Sequence, residues 1–74
     1  MMHDRIVSDP DIMMGKPAVR GTRITVELIL RKLGHGQTVE ELIDDYPAIT
    51  RDDILAAQAF AADYLAGEKI EAPE

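Results

Sequence analysis

The chain has 74 residues, 8 Lys/Arg against 14 Asp/Glu, a formal net charge of −6 and no cysteine. One domain is expected at this length, burying only about 60% of the surface its unfolded chain exposes, and without cysteine neither disulfides nor thiolate metal sites can staple it; oligomerisation is the remaining route, and a homodimer is expected. No apolar run approaches the about 20 residues of a membrane span and no signal-peptide pattern opens the chain, so the cytoplasm is the expected compartment.

In chain order, Arg5-Ile6-Val7 has the composition of a short strand. Ser8-Asp9-Pro10-Asp11 reads as a turn, because Asp and Ser bond nearby backbone and Pro10 fixes its own φ. The stretch from Gly15 to Ile24 concentrates two glycines, a proline and the cations Lys16, Arg20 and Arg23. Within it, Val19 to Ile24 predicts a very short hairpin or bend, with glycine taking the unusual φ. Strands this short cannot stand alone. They pair either with each other or across a dimer.

Three helices follow. Thr25 is the expected N-cap of the first, with Ile24 and Ile29 as a hydrophobic staple. Val26, Ile29, Leu30 and Leu33 repeat at the spacing of one buried face, and Glu27 and Arg31 form an i, i+4 pair outside it. Arg31 and Lys32 suit the negative end of the helix, and Gly34 is the expected stop. Thr38-Val39-Glu40-Glu41 is a capping box for the second helix, which Pro47 ends at Tyr46. The third starts at Thr50, with Asp53 in the reciprocal capping position, and runs to Gly67. Ile54, Ala57, Gln58, Ala61 and Leu65 share a stripe, and Leu55, Phe60 and Tyr64 are apolar elsewhere. A helix apolar nearly all round is covered on more than one side. Phe60, Tyr64 and Leu65 are therefore expected in the core or a dimer interface.

The expected fold is mainly α: a three-helix, homeodomain-like helix-turn-helix domain with a short N-terminal β arm or hairpin. It is a single domain with its core at about 5–66 and a flexible tail over 67–74.

Charge is unevenly spread. Residues 1–38 hold six Lys/Arg against four Asp/Glu, and residues 39–74 hold two against ten. Nucleic-acid binding needs clustered cations. Lys16, Arg20 and Arg23 are the candidates, joined by Arg51 in the first turn of the third helix, a position from which it could read guanine. Asp52 and Asp53 beside it argue against conventional major-groove readout. The structural alternative is a rigid turn docking the N-terminal arm, with Arg23 paired to an acid such as Glu27. Glu40, Glu41, Asp44 and Asp45 form an acidic face suited to a basic protein partner; the plainer alternative is a solvated face. Asp44 and Asp45 sit at the wrong helix end for the dipole. Met1, Met2, Met13 and Met14 fill gaps or line an adaptable interface. His3, Asp9 and Asp11 lack the spacing of a metal site, and no nucleophile, base and orienter occur together, so neither a cofactor nor an enzyme is expected.

The run Asp9-Pro10…Gly15-Lys16-Pro17…Arg20-Gly21-Thr22-Arg23-Ile24, with Tyr46-Pro47, Ile49-Thr50 and Phe60-Ala61 further on, resembles the bacterial domain of unknown function family 433. The resemblance covers roughly residues 5–66. It implies a homeodomain-like helical domain similar to VapB-type antitoxins, which pair with a small PIN-like ribonuclease toxin. By that resemblance the chain would restrain a toxin and bind its own operator DNA, the acidic face meeting the toxin and Lys16, Arg20 and Arg23 meeting phosphates or an acidic partner patch. The alternative is a stand-alone dimeric structural or adaptor module without nucleic-acid binding.

Overall fold

The computed structural model describes residues 4–67. His3, Met1, Met2 and the tail from residue 68 lie outside the described residues. Strand β1 (Ile6–Val7) pairs antiparallel with β2 (Ala18–Val19), Ile6 opposite Val19 and Val7 opposite Ala18. The β arm therefore pairs within the chain. Three helices follow: α1 (Val26–Gly34), α2 (Val39–Asp45) and α3 (Arg51–Gly67). The mainly helical, three-helix expectation holds.

The glycine-rich segment is a clip on the start of α1. Val19 N–H donates to the Ile24 carbonyl, Ala18 bridges Thr25, and Val26 N–H donates to the Pro17 carbonyl. At the tip, Gly21 takes φ +80°, a left-handed conformation that costs other L-residues about 1–2 kcal/mol. The Thr22 hydroxyl closes the turn in both directions, donating to the Val19 carbonyl and accepting from Ile24 N–H. Ala18 and Val19 are buried under this clip. The Asp9 turn forms as expected, its carboxylate accepting from Asp11 N–H and its carbonyl from Ile12 N–H.

No residue pattern predicts the turn after Ile12. Met13, Met14 and Gly15 form one turn of 3-10 helix with φ of 51°, 58° and 83°, a left-handed turn. Two methionines there carry backbone strain of order 1–2 kcal/mol each.

The caps read from sequence are present. The Thr25 hydroxyl accepts from Leu28 N–H. Thr38 and Glu41 complete a capping box, and Thr50 and Asp53 exchange the same pair of bonds at α3. Tyr46 leaves the helical region at φ −129°, as the residue before Pro47 must. One stop moves. Gly34 lies inside α1, and Gly36, at φ +97°, makes the left-handed exit, its N–H bonded to the Leu33 carbonyl. The last helix also runs through Gly67, one residue into the expected tail.

The core joins every element: Ile6 and Val19 from the arm, Val26 and Ile29 from α1, Leu42 from α2, Ile49 from the turn, and Ile54 and Ala57 from α3. Ile29, Leu42, Ile49 and Ile54 are fully enclosed. After Ala57 the core stops. Phe60 and Ala61 are half-buried against it, and residues 62–67 are exposed. Tyr64 and Leu65, expected in core or interface, are 61% and 56% exposed and lie outside this core.

Candidate functional site

The overrunning end of α3 makes a concavity with α1. One wall is α3, with Phe60, Ala61, Tyr64 and Leu65; the other is α1, with Val26, Glu27, Leu30 and Arg31; Lys16 and Pro17 close one end. It is an open groove of about 640 Å³. Phe60 stacks on Tyr64 at 6.3 Å between ring centroids, as i, i+4 neighbours on one helix face. The face that buries Ile54 and Ala57 thus continues past the domain with only the α1 wall beneath it.

Charge is confined to the rim. Glu27 accepts from Lys16 Nζ at 3.0 Å through one oxygen and from Arg31 Nη2 at 2.7 Å through the other. The Lys16 hydrogen bond, then the charges of Lys16 and Arg31, hold the Glu27 carboxyl below its ordinary pKa. Two cations on one acid leave this mouth net positive on a chain of charge −6. A shallower depression shares Glu27 and Arg31 and reaches Met13, Arg23 and Leu28. Met14 beside it is 92% exposed.

The cations named from sequence are mostly engaged locally. Lys16 holds Glu27, Arg20 Nε donates to the Asp4 carbonyl at 2.8 Å, and Arg51 pairs with Glu40. Arg23 is exposed near Glu27, but Glu27 is taken by Lys16 and Arg31, so the expected Arg23–Glu27 pair does not form. Among the acids, Glu40 holds Arg51, Glu41 caps α2, and Asp45 accepts from Gln37 Nε2. Asp44 is exposed.

Sequence reasoning also missed the tie between the arm and α3. Arg5 Nη1 donates to Asp53 Oδ1 at 3.0 Å, while Asp53 Oδ2 accepts from Thr50 N–H. The carboxylate is nearly buried and the guanidinium half exposed. One acid thus caps α3 and fastens the arm to it. Among the described residues no three His, Cys, Asp or Glu side chains converge as a metal site would require. No described helix is long and apolar enough to cross a membrane.

A family model described as "Protein of unknown function (DUF433)" matches residues 6–61. The uncharacterized protein y4eO of Sinorhizobium fredii (strain NBRC 101917 / NGR234) is 34% identical over 56 residues, 76% of this chain and 25% of the relative. The crystal structure of a DUF433 member protein from Anabaena variabilis ATCC 29413 superposes with a TM-score of 0.77 at 29% identity, covering 80% of this chain and 58% of the other. The chain thus spans about a quarter of the first relative and somewhat over half of the second.

Proposed function

Because the chain belongs to the DUF433 family, we propose that it is an antitoxin-like regulatory protein, without catalytic activity, that binds and restrains a PIN-like ribonuclease toxin. The observation that carries this reading is the α1–α3 groove: an apolar channel with a charged mouth, formed where a helix overruns its own core. An exposed apolar channel between two helices is a surface on which an apolar polypeptide segment can be seated. Glu40, Glu41 and Asp45 of α2 are held by local partners, so exposed Asp44 is the acid left to offer the toxin a second, electrostatic contact, one that steers association more than it tightens it.

Operator binding is the weaker half of the proposal. Lys16, Arg20 and Arg51 are held by local acceptors, and DNA would have to compete for each. That arrangement favours the second reading, a dimeric adaptor without nucleic-acid binding. Affinity purification of the tagged chain from its native host, followed by mass spectrometry, separates the two. A stoichiometric small nuclease-like protein is expected. Recovery of the chain without any other protein would overturn the antitoxin reading and leave the adaptor.

A further inference from the structure

We infer that the polypeptide completing the α1–α3 groove is a second copy of this chain, seated by twofold-symmetric, antiparallel exchange of the overrunning ends of α3. The inference rests on the reading of the groove as a polypeptide-binding surface: a second copy holds it in the free protein, and a toxin entering it would displace that copy.

The groove lacks what the chain has to spare. Residues 58–67 of α3 extend about 15 Å at 1.5 Å per residue, nearly three turns. Their core-facing side carries Phe60, Ala61, Tyr64 and Leu65, yet Tyr64 and Leu65 stay more than half exposed. The channel needs one apolar helix of about this length laid along α1 and α3, and the overrun is such a helix. A twofold axis near Tyr64 satisfies both needs at once, since an isologous contact applies one patch to itself. Each copy's buried stripe of Ile54 and Ala57 then continues through Ala61 and Leu65 into the partner.

The charges agree. The groove mouth keeps a positive excess from Lys16 and Arg31 around Glu27. The last turn of α3 carries no basic residue to offset its negative carbonyl end. In an antiparallel exchange that end of one copy comes over the cationic mouth of the other, and the two α3 dipoles oppose. The net charge of −6 otherwise disfavours pairing two copies, so the local positive mouth is what makes a self-contact electrostatically admissible. A patch of this extent is smaller than the about 800 Å² per partner of a standard interface, which makes the dimer a weak one whose population depends on protein concentration.

The chain has no cysteine, so a single introduced thiol reports its own symmetry mate. Tyr64→Cys should form a disulfide-linked dimer under mild oxidation, whereas Ala59→Cys, on the opposite face of the same helix, should not. By light scattering over a dilution series reaching about 1 mM, where even a weak dimer is populated, the wild type should approach twice the 8.2 kDa chain mass. Leu65→Asp, at an exposed position, should return it to the chain mass with unchanged circular dichroism. Lys16→Glu should weaken the dimer about tenfold. A monomeric wild type, or a dimer indifferent to Leu65→Asp, would overturn the second-copy assignment. If the wild type is monomeric yet captures another protein that Leu65→Asp releases, the groove reading survives and only its occupant changes. If capture is indifferent to Leu65→Asp, the groove reading falls as well.

Discussion

At the scale of single residues, Glu27 and Asp53 do more than their sequence neighbours announce. Glu27 is expected to hold Arg31 and is the candidate acid for Arg23; it holds Arg31 and, in place of Arg23, Lys16. Its carboxyl is held below the ordinary value by the Lys16 hydrogen bond first and by the two cations after it. A depressed folded-state pKa contributes stability above the unfolded pKa and loses it as pH falls through the folded one. NMR titration should therefore place Glu27 below ordinary glutamate, and Lys16→Ala should move it upward; no movement would assign the shift to Arg31. The Lys16 contact was legible in principle. With Val19 opposite Ile24, Ala18 opposite Thr25 and Pro17 opposite Val26, the register itself puts Lys16 across from Glu27. Reading the hairpin outward one more step would have found it. Asp53 offered no such route, because its partner Arg5 is 48 residues away. Asp53→Ala should cost about 1–3 kcal/mol in urea unfolding, since it removes a cap and a nearly buried charge-assisted bond. Arg5→Ala should cost less than about 1 kcal/mol, because the guanidinium is half exposed. Equal costs would mean that the ion pair, and not the cap, dominates.

At the scale of elements, the helices were readable because caps and periodicity agree with each other. Thr25, Thr38 and Thr50 each begin a helix by the bonds their side chains make. The exit of α1 was read one turn of logic too early. Two glycines follow the last apolar residue, and sequence alone does not say which adopts positive φ. Gly34 is helical with open space around it, whereas Gly21 is left-handed with equally open space. Alanine at the two sites should separate backbone cost from crowding. Gly34→Ala should stabilise by about 0.5–1 kcal/mol, and Gly21→Ala should destabilise by about 1–2 kcal/mol. The same sign at both would contradict the backbone assignment. The left-handed Met13–Met14 turn was illegible, since nothing in methionine favours that conformation. It follows from closing the chain between the Asp9 turn and the Pro17 clip.

At the scale of the whole molecule, the stripe along α3 was read correctly as apolar, but its end was misjudged. Periodicity tells which residues share a face and not how far the rest of the domain reaches along it. Ala57 is enclosed and Leu65 is 56% exposed on a single continuous helix. If a second copy covers that overrun, binding of like to like stabilises by mass action. The melting temperature of the wild type should then rise with protein concentration, and that of Leu65→Asp should not. A wild-type midpoint independent of concentration would leave the domain to stand on its own small core.

The Arg5–Asp53 tie also has a consequence for the order of assembly. It joins the residue before β1 to α3 across 48 residues, and closing such a loop costs about 3 kcal/mol of chain entropy. The arm brings only two-residue strands and a half-exposed ion pair against that cost, whereas the helices build on local backbone bonds and the enclosed core. The arm should therefore be the last piece to settle and the first to lift. Hydrogen exchange offers a direct view, because Arg20 N–H is bonded to the Arg5 carbonyl and Leu42 N–H to the Thr38 carbonyl. Exchange at Arg20 should proceed through a partial opening that leaves Leu42 protected, and equal protection at both would mean that arm and helices form one cooperative unit.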